Sequence, residues 1–328
     1  MSADLSVTVA GLELKNPVLA GSGEATATLE DLRAAVDAGA GAVVAKSANE
    51  SEAAKAQLRA AEYALLDERW QPLEWGPAPR TASLFCRSGL VDEPWERWVE
   101  VLVEADGYAA AHDAYVVPSL IAADPREAAR LARELEHVGL RWLELNVGAP
   151  HAEEAAPGAI GTDVDVAGAV REAVTLPLTV KGRPDQVDAA VAAGADAVCL
   201  TTRELGFVPD PETRRPILGT FAAIGGAWSL PLTLRHIAKA RLRLGPDVCL
   251  VGTGGARDGL DVVRFLLAGA SAVQLTTAVL TDGPAALTNA LAEVEDYLAR
   301  HGVSASELIG EATDHVKTYE EVVLERRH

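Results

Sequence analysis

LTVKGRPDQVDAAVAAGADAVCLT, residues 178–201, contains a complete structural repeat. The apolar run Leu178–Lys181 is followed by an alanine-rich helical stretch, then Gly194-Ala195, then a second apolar run, Ala197–Thr201. A glycine at a helix C-cap that leads directly into a strand closes a βα unit, and repeated βα units imply a parallel sheet. The same punctuation occurs at Gly39-Ala40 before Ala42–Lys46 and at Gly269-Ala270 before Ala272–Leu275. With Pro17–Ala20, Tyr115–Leu120, Trp142–Asn146 and Val248–Gly252 the chain offers eight candidate strands, the number that closes a (β/α)8 TIM barrel. The competing arrangement is an open doubly wound sheet. It calls for G-x-G-x-x-G after the first strand, and Gly21-Ser22-Gly23-Glu24-Ala25-Thr26 does not complete that pattern.

The 328 residues suit one domain, 1–328, rather than two. Leu5, Val7 and Val9, then Gly11, then Leu12 and Leu14 alternate in the manner of a β-hairpin, so residues 1–15 are expected to cap the barrel bottom. Two connections, 47–114 and 202–231, are too long for simple βα links and belong to the C-terminal face, where barrel enzymes keep specificity. The first holds an extra short strand, Thr81–Cys86.

Hydrophobic residues make up 49% of the chain but aromatics only 5%, so the interior is built from Ala, Val and Leu, as suits helices packed on parallel strands. A net charge of -19 argues against a nucleic-acid backbone as partner. Cys86, Cys199 and Cys249 lack the spacing of a disulfide framework, an iron–sulfur cluster or a structural zinc site. His112, His137, His236, His301, His315 and His328 show no ligand spacing either, so no metal is expected. Residues 1–14 carry no readable secretory signal and no long apolar run follows, which leads to the expectation of a cytoplasmic protein with no membrane contact.

Of only six lysines, two stand at predicted strand ends, Lys46 and Lys181. Cations there project into the pocket at the top of a barrel, where they stabilise developing negative charge; an ordinary solvated lysine is the bland alternative. Leu250-Val251-Gly252-Thr253-Gly254-Gly255-Ala256 opens a helix after a buried-looking strand, and Thr276-Thr277 ends the next one. Glycine-rich amides with neighbouring hydroxyls form the phosphate cradle common after strands seven and eight of barrels. Taken alone, this fits sugar-phosphate isomerases and flavin enzymes equally. Asn146 ends the fourth strand and can hydrogen-bond a planar heterocycle or act merely as a turn former.

In this order and spacing, Asn16-Pro17-Val18-Leu19-Ala20-Gly21-Ser22-Gly23, Gly41 to Ser47, Glu144-Leu145-Asn146-Val147 with Pro150, Pro177 to Lys181, Gly225-Gly226-Ala227, Gly252 to Gly255 and Val273 to Ala278 make the chain resemble the dihydroorotate dehydrogenase family. The pyrimidine-reducing domain of dihydropyrimidine dehydrogenase is part of that likeness. The resemblance implies FMN, with Ala20, Gly21, Lys46, Ser47, Asn146 and Lys181 around the ring and Lys181 at its N1/O2 edge. Gly226, Gly254, Gly255, Thr276 and Thr277 would hold the phosphate, and a homodimer is the implied assembly.

The substrate side departs from the family pattern. Where relatives carry a Cys or Ser base, this chain has Ala149, and a positioned acid–base group is typically worth about 10²–10⁴-fold. The substrate-gripping asparagines are replaced by Cys86 or Arg87 and by Thr202, and His151 stands where dihydroorotate enzymes have Asn. Cys86 and His151 are the candidates for proton exchange beside Lys46, and Arg87, Thr202, Arg203 and Asn146 for gripping a substrate. The leading expectation is an FMN oxidoreductase acting on a small cyclic or unsaturated substrate other than dihydroorotate. A redox-neutral isomerase or lyase that holds its own substrate's phosphate, and an FMN-binding protein without turnover, are the alternatives.

Overall fold

A computed structural model describes residues 3–49, 55–56, 61–122, 124–149, 164–201 and 203–325. A nine-stranded parallel sheet surrounds the molecule's axis, and each strand or strand pair is followed by a helix on the outside. From one end to the other the sheet runs Tyr115–Val117, Ala42–Val44, Val18–Ala20, Ala272–Leu275, Cys249–Thr253, Ala197–Thr201, Leu178–Gly182, Leu143–Asn146 and Ser119–Leu120.

Its two terminal strands are consecutive pieces of one chain segment. Pro118 lies between them; it has no N–H to give the ladder and disfavours helical backbone at the residue before it. Val117 O therefore accepts from Ala45 N at 2.9 Å on one side, while Pro118 O accepts from Glu144 N at 2.9 Å on the other. The single predicted strand 115–120 is thus a hinge that joins both ends of the sheet, and the eight-fold barrel closes through it.

The glycine punctuation has its physical cause in the backbone. Gly194 has φ 88° and Gly269 φ 112°, conformations that an L side chain rarely adopts, at the point where each helix turns into the next strand. Helix starts are fixed as locally: the Asp124 side chain accepts from Arg126 N and Glu127 N ahead of Pro125, and the Asp258 side chain accepts from Asp261 N. With few aromatics available, the packing depends on small residues, and Trp98 and Trp142 are the largest fully buried side chains. Trp142 Nε1 finds Thr179 Oγ1 at 2.9 Å inside the barrel wall.

The N-terminal hairpin pairs Val7–Val9 with Leu12–Leu14 through a two-residue turn in which Ala10 has φ 51° and Gly11 φ 79°. It packs at the start of Cys249–Thr253, the barrel's lower end. The two long insertions do more than decorate the upper face. They combine into one antiparallel sheet in the order Glu204–Gly206, Ala222–Gly226, Ser83–Arg87, Glu62–Leu66 and Pro72–Leu73. The expected extra strand is its central member, starting two residues later and ending one residue later than the expected Thr81–Cys86. Pairing across 140 or so residues of chain separation leaves no local periodicity to read, which is why the joint sheet was not expected from the sequence.

Where the seventh strand meets the helix Gly259–Ala268, a Cβ built on Gly252 would lie 2.2 Å from the Phe265 ring. Overpacking of this kind typically costs about 1–3 kcal/mol. Gly252→Ala should therefore lower the free energy of unfolding measured in urea by an amount in that range, whereas Gly245→Ser, where nothing stands within 4 Å, should show only the smaller strain of its positive φ.

Candidate functional site

Above the barrel and under the insertion sheet lies one cavity whose wall includes Lys46, Asn146, Lys181, Arg203, Cys86 and the backbone from Thr253 to Gly255. Strand alternation explains its floor. In Leu143–Asn146 and Leu178–Gly182, Glu144, Asn146, Thr179 and Lys181 share the inward face, while Leu143, Leu145, Leu178 and Val180 face the helices. Lys181 Nζ donates to Gln274 Oε1 at 2.9 Å, Gln274 Nε2 donates to Glu144 Oε2 at 2.6 Å, and Lys181 stands 3.8 Å from the second carboxylate oxygen.

Lys46 follows the second strand and is 4% exposed. Its Nζ meets Glu24 Oε1 at 2.5 Å. Glu24 also accepts from Gly89 N at 3.1 Å and from the Tyr63 hydroxyl, which descends from the insertion strand Glu62–Leu66. Burial disfavours the ammonium and pulls Lys46 below its ordinary pKa, with Glu24 opposing; the combined donors outweigh burial at Glu24 and hold its carboxyl below the usual value. Burial and the neighbouring carboxylate both keep the Tyr63 phenol protonated.

At one end of the cavity the backbone lies bare. Gly225 has nothing within 4 Å of where a Cβ would sit, and Gly254 and Gly255 have φ of 107° and 89°. Gly226, Thr276 and Thr277 line the same cavity. Amide donors and hydroxyls at one end, and lysine and asparagine side chains at the other, fit the phosphate and the ring of a flavin mononucleotide.

The expected residues fall into four groups. Lys46, Ser47, Asn146, Lys181, Gly226, Gly254, Gly255, Thr276, Thr277, Cys86 and Arg203 all reach the cavity wall. Ala20 and Gly21 lie just beneath it, buried, with Gly21 N bonded to Leu275 O at 3.0 Å. His151 and Thr202 lie outside the described residues. Arg87 is a correction. Cys86 pairs with Tyr63 and Ala223 across the insertion sheet, so the next residue points to the opposite face, where Arg87 is ion-paired with Glu62. It does not line the cavity.

Cys86 lies within the insertion strand Ser83–Arg87, 1% exposed. Burial pushes its thiol up, against the opposing Arg203 guanidinium that donates to its sulfur, so the site does not tune it toward neutrality. Glu24, Glu144, Gln274 and Tyr63 were not anticipated. Glu24 had a signal, a charged residue just past the first strand as Lys46 is past the second, and Glu144 shares its face with Asn146 two residues on. Tyr63 had none, because only the insertion sheet brings it there.

The family profile described as dihydroorotate dehydrogenase matches residues 87–298. The protein named dihydroorotate dehydrogenase B (NAD(+)), catalytic subunit, of Methanothermobacter thermautotrophicus is 30% identical over 94% of this chain and 99% of its own length. Its namesake from Desulforudis audaxviator is 32% identical over 95% and 98%. The one from Porphyromonas gingivalis reaches 37%, over 57% and 63%. The chain belongs to the dihydroorotate dehydrogenase family. It is thereby an FMN-dependent flavoprotein oxidoreductase of the class acting on CH–CH groups. Among the described residues no helix is long and apolar enough to cross a membrane, and no cluster of three or more His, Cys, Asp or Glu could hold a metal ion.

Removing the Glu24 charge leaves Lys46 buried without its counter-ion. Glu24→Gln is expected to cost roughly 2–3 kcal/mol in denaturant unfolding, less than the ~3–5 kcal/mol of a fully buried pair because 28% of the Glu24 side chain remains exposed. Since its folded pKa is depressed, the stability Glu24 contributes is present above the ordinary value of 4.5 and is lost as pH falls through its lower folded value. The difference between wild type and Glu24→Gln should accordingly shrink below pH 4.5.

Proposed function

We propose that this chain, 1–328 as one domain, moves hydride between flavin N5 and a carbon of a small cyclic or unsaturated substrate other than dihydroorotate. The observation that carries the reading is the single cavity joining the Gly254-Gly255 cradle to the Lys46, Asn146 and Lys181 floor. When bound, FMN supplies the two-electron chemistry. The protein's part is orientation and charge: Gly254, Gly255, Thr276 and Thr277 fix the phosphate, Asn146 offers an amide, and the Lys181 ammonium favours negative charge at the adjacent ring edge, a charge-assisted bond being worth about 1.5–3 kcal/mol.

Dihydroorotate is the reference substrate because the relatives' names carry it. Two features favour a different one. Ala149 lines the cavity without any proton-transfer group, and the Glu24 carboxylate, held by Lys46 and Tyr63, occupies the wall instead, with Oε1 and Oε2 as the atoms able to take a proton. The Arg203 guanidinium beside Cys86 adds a cation suited to an anionic substituent. His151 remains a second candidate for proton exchange and Thr202 for substrate contact.

The reading includes a homodimer in the cytoplasm. The words "catalytic subunit" in the relatives' names make a second kind of chain the competing partner; elution of the purified chain at twice its own mass is the expected result.

The purified protein should be yellow and release FMN on heating. Gly255→Ala, whose Cβ would meet Leu230 N at 2.5 Å, should bind FMN at least about tenfold more weakly by fluorescence titration, a loss of about 1.4 kcal/mol. Anaerobic dihydroorotate should leave the wild-type flavin oxidised. Rapid bleaching would make dihydroorotate the substrate; a colourless protein that cannot be reconstituted would favour the phosphate-binding isomerase or lyase.

A further inference from the structure

Beneath the cavity the barrel interior is polar where branched aliphatic side chains ordinarily fill it. Glu144 is 1% exposed and Gln274 2%. Glu144 Oε1 accepts from Ser119 Oγ at 3.4 Å, and Ser119 Oγ lies 2.9 Å from Ser47 Oγ. Its other oxygen accepts from Gln274, which in turn accepts from Lys181. The ammonium that reaches the cavity is therefore held by a neutral amide at 2.9 Å and a carboxylate at 3.8 Å, from two different strands.

Desolvating a carboxylate costs several kcal/mol. A glutamine at 144 would fill the same volume and could still bond Gln274. What it would lack is the charge. A fixed negative charge beside Lys181 acts on whatever Lys181 acts on, with opposite sign and over a slightly longer distance.

We propose that Glu144 is a positioning residue that sets the reduction potential of the bound flavin: its carboxylate anchors Lys181 through Gln274 and offsets part of the ammonium's charge. The inference rests on the FMN reading above. Two-electron reduction places negative charge near the N1/O2 edge, which Lys181 favours and Glu144 opposes. Gln274 is the spacer. By occupying Lys181 Nζ it keeps the ammonium from closing fully on the carboxylate.

Spacer and counter-charge make opposite predictions. Glu144→Gln removes the opposing charge and should raise the equilibrium constant for flavin reduction about tenfold, which is about 30 mV for a two-electron couple. Gln274→Met lets Lys181 close on Glu144 and should lower that constant by a similar factor. The potentials are measured on the FMN-loaded proteins by anaerobic equilibration with a reference dye, and FMN dissociation constants are measured alongside. A role in folding alone would shift melting temperature without this pair of opposite signs. An unchanged or lower potential in Glu144→Gln overturns the proposal, and so does an unchanged or higher one in Gln274→Met, so each variant decides the matter even if the other fails to fold. Wild-type protein that takes up no flavin overturns the FMN reading itself, and this inference with it.

Discussion

At Pro118 the chain changes neighbours. Residues before it pair with the second barrel strand and residues after it with the fourth, so a single segment ties both ends of the sheet together. Closure at this point sets how near the upper ends of the strands come to one another. Ser119, the residue after the proline, bonds both Ser47 at the end of the second strand and Glu144 in the fourth. The polar layer beneath the cavity exists because the barrel closes with this register. A one-residue slip in the strand that carries it would turn Glu144, Lys181 or Gln274 out toward the helices.

That layer and the insertion sheet divide the charges between them. Lys181 is balanced from below by Glu144, within the barrel. Lys46 is balanced from the side by Glu24, which is itself oriented by Tyr63 and Gly89 of the insertion. Arg203 has for a partner the Cys86 sulfur, which burial favours as the neutral thiol. Among the described residues, the wall's three cations thus face one carboxylate of the wall, Glu24, and one beneath it, Glu144, and a cavity with that balance attracts a ligand carrying negative charge. The flavin phosphate proposed for the glycine cradle and an anionic substituent near Arg203 would both answer to it.

What was legible in the sequence follows from which interactions are local. Glycines at helix C-caps, two-residue periodicity and the Ala10-Gly11 turn are set within a few residues, and they gave the barrel strands, the hairpin and the strand-end lysines. The glycine backbone at the cavity wall was legible for the same reason, since Gly254 and Gly255 declare their backbone conformation by their identity. Contacts made across the fold were not. Arg87 was misplaced because its face depends on the register of a sheet assembled from two distant insertions, and Tyr63 went unseen because that same sheet delivers it. Glu144 stands two residues before Asn146 in the same short motif, so alternation puts both on one face. The split at Pro118 was missed because a proline in a short apolar run looks like an interruption, when here it is the joint on which closure depends.

The orientation of a flavin in the cavity is tested most directly by a crystal structure of the protein with FMN bound. The phosphate is expected on the amides of Gly254 and Gly255, with the N1/O2 edge of the ring within hydrogen-bonding distance of Lys181 Nζ. A ring bound with its phosphate toward Lys46 and Arg203, or with Lys181 turned away and closed on Glu144, would contradict it.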